Sequence, residues 1–236
     1  MRLPPAFPKT KRCRKLIIDL HTHTRPASDD SSMTLAELVV GAKAAGMDGV
    51  CVTDHDRFLD PKIAEEMTAE YDLLVVPGCE VTTEEGHLLV FGLTEYVFGM
   101  HSTAFLRSMV EEAGGAMVAA HPYRRAYRPG NSRGTEAYIE LVRGARNNPM
   151  FDAADAVEVL NGRGSTKENT FSSDIAAELG MHGTGSSDAH TLGDLGTFAT
   201  EFDRPIAGLA DLVHELRAGR VRQVNLDKRT DPGENP

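Results

Sequence analysis

The segment Leu16-Ile17-Ile18-Asp19-Leu20-His21-Thr22-His23-Thr24 runs from an apolar stretch straight into a His-x-His pair. Residues 16–20 read as a buried strand, and alternate residues of an extended chain share a face, so His21 and His23 can grip one point. The pattern recurs along the chain. His55 follows a strand expected at 49–53, and Glu80 follows one at 73–76. His87 opens one at 88–91, and His121 follows one at 116–120. Asp188 and His190 follow one at 181–185. A further strand is expected at 156–160, and the run 197–202 extends or flanks the sheet.

Helices with clear end signals separate these runs. Thr34-Leu35-Ala36-Glu37 is a capping-box pattern closed by Gly46, and Asp60-Pro61 supplies an N-cap and an N1 proline for a helix reaching Tyr71. Further helices are expected at 102–113, 169–179 and 206–218. Short apolar strands alternating with helices suit a parallel sheet buried on both faces, either open or closed into a barrel. An open sheet spreads its strand ends along a line. A barrel gathers them at one mouth, where six histidines and two acids could converge, so the expected fold is a TIM-like (β/α) barrel.

The bounds are consistent with that. A chain of 236 residues, 41% hydrophobic and 25% charged, suits one domain. That domain is expected at 16–226, between a basic N-terminal tail (1–15) and a polar C-terminal tail (227–236). No apolar run approaches a membrane span, and the three apolar residues after the basic start are too few for a secretory signal, so a cytoplasmic location is expected. Cys13, Cys51 and Cys79 form no C-x-x-C pair, which argues against a disulfide framework or a thiolate zinc site. A net charge of −10 opposes binding to long nucleic acid or anionic membrane. It leaves an anionic small substrate open, because bound cations reverse the sign locally.

A lone histidine beyond a strand is ordinarily a hydrogen-bonded or partly exposed residue. Imidazoles mixed with carboxylates and no thiolate, repeated at strand ends, instead suit catalytic Zn, Mn or Fe. In this order the residues resemble the PHP (polymerase and histidinol phosphatase) family. His21-x-His23 resembles its first motif and Thr53-Asp54-His55 its second. Glu80, His87 and His121-Pro122 resemble the middle motifs, and Asp188-Ala189-His190 the last. Asn161-Gly162-Arg163 also fits the family's later segment.

The resemblance implies a distorted seven-stranded barrel holding two to three divalent metals. One metal would be held by His21, His23, Glu80 and Asp188. A second would share Glu80 and use His87 and His121. A third would take His55, His190 and an acid, Asp29 or Asp30, with Asp29 preferred. It also implies a metal-dependent phosphoesterase acting on a small phosphorylated metabolite, nucleotide or short oligonucleotide through a metal-bridging hydroxide. Glu80, Asp188 and His190 are the central catalytic candidates. Asp19, Asp54 and Asp56 flank the ligands and could orient imidazoles from behind.

The segment 122–155, after the fifth expected strand, carries Arg124, Arg125, Arg128, Arg133, Arg143 and Arg146. It reads either as a solvated loop with a short helix or as an arginine-rich cap gripping a second phosphate. Arg124, Arg125 and Arg163 are the substrate-binding candidates. Three other functions compete: a 3′–5′ exonuclease or proofreading module, a non-catalytic metal-binding barrel, and a metal-dependent amidohydrolase. The last is expected to use a lysine bridge, and no lysine stands at a suitable strand end.

Overall fold

The computed structural model describes residues 15–125 and 132–226. Residues 1–14 of the N-terminal tail, the C-terminal tail, Cys13 and Arg128 lie outside the described residues. The first part of the chain alternates as expected: β1 (Leu16–Thr22), α1 (Leu35–Ala44), β2 (Gly49–Val52), α2 (Pro61–Tyr71) and β3 (Leu74–Pro77). Thr34 and Glu37 form the capping box in full, and Asp60 caps the backbone N–H of Lys62.

The regular alternation then breaks. β4 (Cys79–Thr83) follows β3 after one residue and turns back as β5 (Gly86–Phe91). α3 (Thr103–Glu112), β6 (Ala116–Ala119), α4 (Glu136–Ala145), α5 (Met150–Ala153) and β7 (Ala156–Asn161) come next. They are followed by α6 (Thr166–Leu179), β8 (Gly183–Ser186), β9 (Phe198–Phe202), α7 (Leu209–Arg217) and β10 (Val221–Asn225). α6 begins a turn earlier than its apolar pattern suggests, because Ser165 and Glu168 form a second capping box.

The expected closed seven-stranded barrel does not form. The strands make two five-stranded mixed sheets, ordered β10-β9-β1-β2-β3 and β4-β5-β6-β7-β8. β1, β2 and β3 run parallel, as do β6, β7 and β8, but β9, β10, β4 and β5 join by antiparallel pairing. Parallel repetition around a barrel needs a crossover between successive strands. Here β3 passes into β4 through Gly78 alone, with a single bridge, His55 to Glu80, at that seam. At the other seam the Thr200 hydroxyl accepts from Gly185 N (3.1 Å) and donates to Gly185 O (2.8 Å), so a side chain occupies the place of a backbone ladder.

Three apolar clusters organise these layers. Ile18, Leu20, Cys51 and Val76 of the first sheet meet Leu89, Phe91, Val118 and Ala156 of the second, with Leu212 and Leu216 of α7 among them. α1 and α2 cover the first sheet's outer side through Leu38, Val39 and Ala64. α3, α5 and α6 cover the second through Leu106, Val110, Phe151, Phe171 and Ile175. The described part of the 122–155 segment also packs here, through Tyr138, Val142, Met150 and Phe151. Its arginines Arg133, Arg143 and Arg146 pair with Asp174, Glu140 and Glu178 on helix surfaces.

Candidate metal centre

β1 carries Ile18 and Leu20 into the core, which turns Asp19, His21 and His23 to the opposite side. Its pairing with β2 is irregular between Asp19 and Thr22. β7 shows the same irregularity between Glu158 and Leu160. Both departures fall beside buried polar side chains, where bulges commonly re-aim residues. His121 and Asp188, just past β6 and β8, have φ of 28° and 54°. Non-glycine residues seldom adopt such values, and they gather at functional sites. Gly162 lets the end of β7 approach the end of β8, since a Cβ there would lie 2.4 Å from Ser187 O. That approach sets Asn161 and Arg163 beside Asp188 and His190.

At the centre lies Glu80, buried at 1% exposure. It follows β3 as expected but lies within a further strand, β4, paired across to Leu89 of β5. Its Oε1 is 2.6 Å from His87 Nδ1 and 2.9 Å from His121 Nε2. Its Oε2 is 3.2 Å from His21 Nε2, 3.3 Å from His23 Nε2 and 3.1 Å from His55 Nδ1. Asp188 Oδ1 approaches the same Nε2 atoms of His21 and His23, at 3.6 and 3.3 Å. Five imidazoles thus surround one carboxylate.

The two groups that share Glu80, His21–His23–Glu80 and Glu80–His87–His121, each place their ligand atoms within 4.8 Å of one another. A further group is His23–His55–His190. The carboxylate standing against His190 and His55 is that of Asp30, not the preferred Asp29. Asp30 Oδ2 is 2.9 Å from His190 Nε2 and 3.6 Å from His55 Nε2.

These donors fit metal ions better than they fit one another. His21 Nε2 and His23 Nε2 are buried without hydrogen-bond partners, whereas their Nδ1 atoms are occupied. His21 Nδ1 lies 3.1 Å from Glu158 Oε1, and His23 Nδ1 lies 3.3 Å from Ser28 Oγ. Ser28 donates to Asp54 at 2.8 Å, which leaves it an acceptor toward His23. Nε2 is therefore the nitrogen that each ring turns toward the carboxylates. Metal–ligand bonds of about 2.0–2.2 Å in a tetrahedral site separate ligand atoms by roughly 3.3–3.6 Å, close to the 3.2–3.6 Å contacts of His21 and His23 with Glu80 and Asp188.

The electrostatics ask for a cation too. Burial opposes the charge on Glu80 and Asp188, yet the field of His21, with His121 and His55 beside Glu80 and Arg124 beside Asp188, outweighs it and holds both acids well below the usual carboxylate range. Burial also opposes charge on His21, but Asp188, Glu80 and Glu158 raise it well above an ordinary histidine. His23 is pushed down to about 4, chiefly by burial. Arg124 answers Asp188, but around Glu80 and Glu158 the positive charge rests on crowded imidazoles alone, and a divalent ion suits such a cluster better.

Around this core lie the flanking acids. Asp54 accepts from Thr24 N at 2.6 Å and Thr24 Oγ1 at 2.8 Å, fixing the loop that carries Ser28. Asp19 accepts from His21 N at 3.2 Å and Ser187 N at 3.1 Å, and burial raises its carboxyl to about 7. Asp56 instead holds Thr82 N at 3.0 Å and touches no imidazole. Glu158 was not singled out from sequence, yet it is fully interior and contacts His21 directly. Its signal was one acid inside the apolar run Ala156-Val157-Glu158-Val159-Leu160.

Arg124 and Arg163 reach the cluster at Asp188 and His190. The Arg124 guanidinium bonds Asp188 Oδ2 and, at 3.2 Å, Asn161 Oδ1. Arg163 Nη1 is 2.8 Å from His190 Nδ1, and that nitrogen is also 2.9 Å from Asp188 O. One ring nitrogen serves either as acceptor from Arg163 or as donor to Asp188 O. The second choice leaves His190 Nε2 free as a ligand and releases Arg163. Arg125 donates its backbone N–H to Glu168. A cleft of about 390 Å³ runs from His87 and His121 past Arg124 and Arg125.

Comparison with known proteins agrees with this site. The PHP domain model matches residues 19–156 and the PHP-associated model residues 166–221. The chain belongs to the PHP family. A protein from Caldanaerobacter subterraneus subsp. tengcongensis, named a probable phosphatase, is 26% identical over 91% of this chain and 93% of its own. A two-domain protein from Bacteroides vulgatus, containing a predicted PHP-like metal-dependent phosphoesterase, superposes with a TM-score of 0.61 at 16% identity. That match covers 96% of this chain and 69% of the other. An amidohydrolase from Chromobacterium violaceum gives 0.55 at 18% identity, covering 91% and 99%. At such identities the structural likeness establishes fold alone. Among the described residues no helix is long and apolar enough to cross a membrane.

Proposed function

We propose that this chain is a metal-dependent phosphoesterase hydrolysing the phosphate ester of a small phosphorylated metabolite, nucleotide or short oligonucleotide. The observation that carries the reading is Glu80, whose Oε1 faces two imidazoles and whose Oε2 faces three others. His21, His23, Glu80 and Asp188 would hold one divalent ion, and Glu80, His87 and His121 a second. His55, His190 and Asp30 would hold a third. Zn, Mn or Fe suits this donor set, and such ions supply Lewis acidity, screening phosphate charge and acidifying water.

The protein's own groups do the rest. Glu80, Asp188 and His190 are the central catalytic residues of this reading. Asp188 places negative charge between the imidazoles while its second oxygen engages Arg124. With Nδ1–H donated to Asp188 O, His190 presents Nε2 to the centre and frees Arg163 to meet an anionic group of the substrate. Arg124 and Arg125 line the cleft beyond His87 and His121, where the remainder of a small substrate would rest. An amidohydrolase reading is less well supported. Among the described residues no lysine pairs with Glu80 or Asp188, and Lys15 and Lys43 are engaged elsewhere.

The test is phosphate release over sugar phosphates, nucleotides and dinucleotides, with chelated protein and after adding Mn or Zn. The reading expects release that chelation abolishes and metal restores. Hydrolysis of amides but no phosphate ester under the same conditions would refute it.

A further inference from the structure

We propose that Glu158 is a positioning residue that fixes His21 as an Nε2 ligand and ties both ends of the metal cluster to one rigid strand. The proposal rests on the metal-centre reading above and goes beyond it, because Glu158 lies outside every proposed ligand set.

Glu158 is 1% exposed in the middle of β7, where the neighbouring residues are apolar. An acid there without partners would cost several kcal/mol of desolvation, and this one is fully engaged. Oε1 faces His21 Nδ1 at 3.1 Å. Oε2 accepts from His121 N at 2.7 Å and from Asn161 Nδ2 at 3.0 Å. Because a carboxylate only accepts, His21 must present Nδ1–H, which leaves its Nε2 lone pair toward Glu80 and Asp188.

The second oxygen holds His121 at its strained φ of 28°, beside Glu80 Oε1. Asn161 carries the link further. Its Nδ2 also donates to Asp188 Oδ2 at 3.1 Å, and its Oδ1 accepts from Arg163 N at 3.0 Å and Arg124 Nη1 at 3.2 Å. One buried carboxylate therefore orients two candidate ligands directly and reaches a third, together with two arginines, through a single amide.

Glu158→Gln probes this with little change of volume. An amide has one acceptor oxygen and one donor nitrogen. If the oxygen keeps His121 N and Asn161, the NH₂ faces His21 Nδ1 and forces the tautomer protonated at Nε2. If the amide turns over, NH₂ opposes the His121 N–H. The first arrangement disturbs His21 and the second His121, so either way one side of the cluster loses definition.

The experiment uses the full chain labelled with ¹⁵N-histidine, titrated with zinc and followed by long-range ¹H–¹⁵N spectra, with affinity measured by chelator competition. In the wild type we expect His21 with a protonated, hydrogen-bonded Nδ1 and zinc at Nε2. In Glu158→Gln we expect zinc affinity lowered about 10–100-fold. Glu158→Asp keeps an acceptor-only group and should recover part of the loss. Wild-type zinc binding through Nδ1 of His21 would overturn the proposal even if the variants failed to fold. So would unchanged affinity in a folded Glu158→Gln. Failure of the wild type to bind zinc would instead overturn the metal-centre reading, and this proposal with it.

Discussion

Two groups of buried acids in this protein have opposite surroundings. Glu201 of β9 is 4% exposed and Glu215 of α7 is 3% exposed. Both are met by cations of the protein's own. Glu201 pairs with Lys15 at 2.8 Å and Arg222 at 2.7 Å. Glu215 takes a bidentate contact from Arg220, at 2.7 and 2.6 Å. Glu80 and Asp188 are as deeply buried, yet Glu80 meets imidazoles and Asp188 meets imidazoles and one arginine. Where arginine and lysine close the account, burial is structural. Where imidazoles crowd a carboxylate, the missing charge under the proposed function is that of a metal ion taken from solution.

The largest effect should come from breaking the second group. Glu80→Gln weakens two metal groups together, and we expect kcat to fall by about 10²–10³-fold. His190→Ala should cost less, since it touches only the group nearest the mouth. Steady-state phosphate release at saturating metal checks both, and wild-type turnover in the pair would contradict the ligand assignment.

A smaller effect is expected at the arginines that border the cluster. Arg124→Ala and Arg163→Ala should each raise KM for a bisphosphate or nucleotide. Loss of one charge-assisted contact is worth about 1.5–3 kcal/mol, roughly ten- to hundredfold in kcat/KM. A minimal aryl phosphate should be little affected, and lysine should restore only part of the loss. Equal losses on both substrates would assign these arginines to the metal site instead.

At the structural pair the readout is stability. Arg220→Ala leaves Glu215 without its bidentate partner and should lower Tm by about 2–4 °C, with metal content unchanged. The smallest effect concerns pH. Hydrogen bonding by Arg222 outweighs burial and lowers the Glu201 carboxyl. Its contribution should therefore be fully present above the ordinary glutamate value of about 4.3, and lost as pH falls through the lower folded-state value. Thermal melts of Glu201→Gln against wild type should converge at low pH; a difference that grows on acidification would reverse the sign.

The metal-binding region was legible in sequence because each imidazole sits beside a strand of unmistakable apolar character. The capping signals at Thr34, Asp60 and Glu37 were legible for a local reason, since each acts within its own turn. What sequence did not reveal depends on partners far along the chain. β5 is expected at 88–91, but Cys79-Glu80-Val81-Thr82-Thr83 does not read as the strand β4 that pairs with it antiparallel, although Glu80 faces the site. β10, inside the expected domain, does not read as a strand because Arg222 and Gln223 are exposed edge residues whose pairing is to β9. Closure into a barrel was inferred from converging histidines, but two sheets meeting at a bend and a threonine hydroxyl converge equally well. Glu158 escaped notice because its reason for burial, His21 Nδ1, lies on β1.

The central claim is that the charge missing around Glu80 is supplied by metal ions. Elemental analysis of the purified chain, reconstituted with Mn or Zn and freed of loosely bound ion, tests it most directly. Shared ligation by Glu80 predicts two or more ions per chain, with a clear loss in Glu80→Gln and none in Arg220→Ala. Less than one ion per chain in the reconstituted wild type would contradict it.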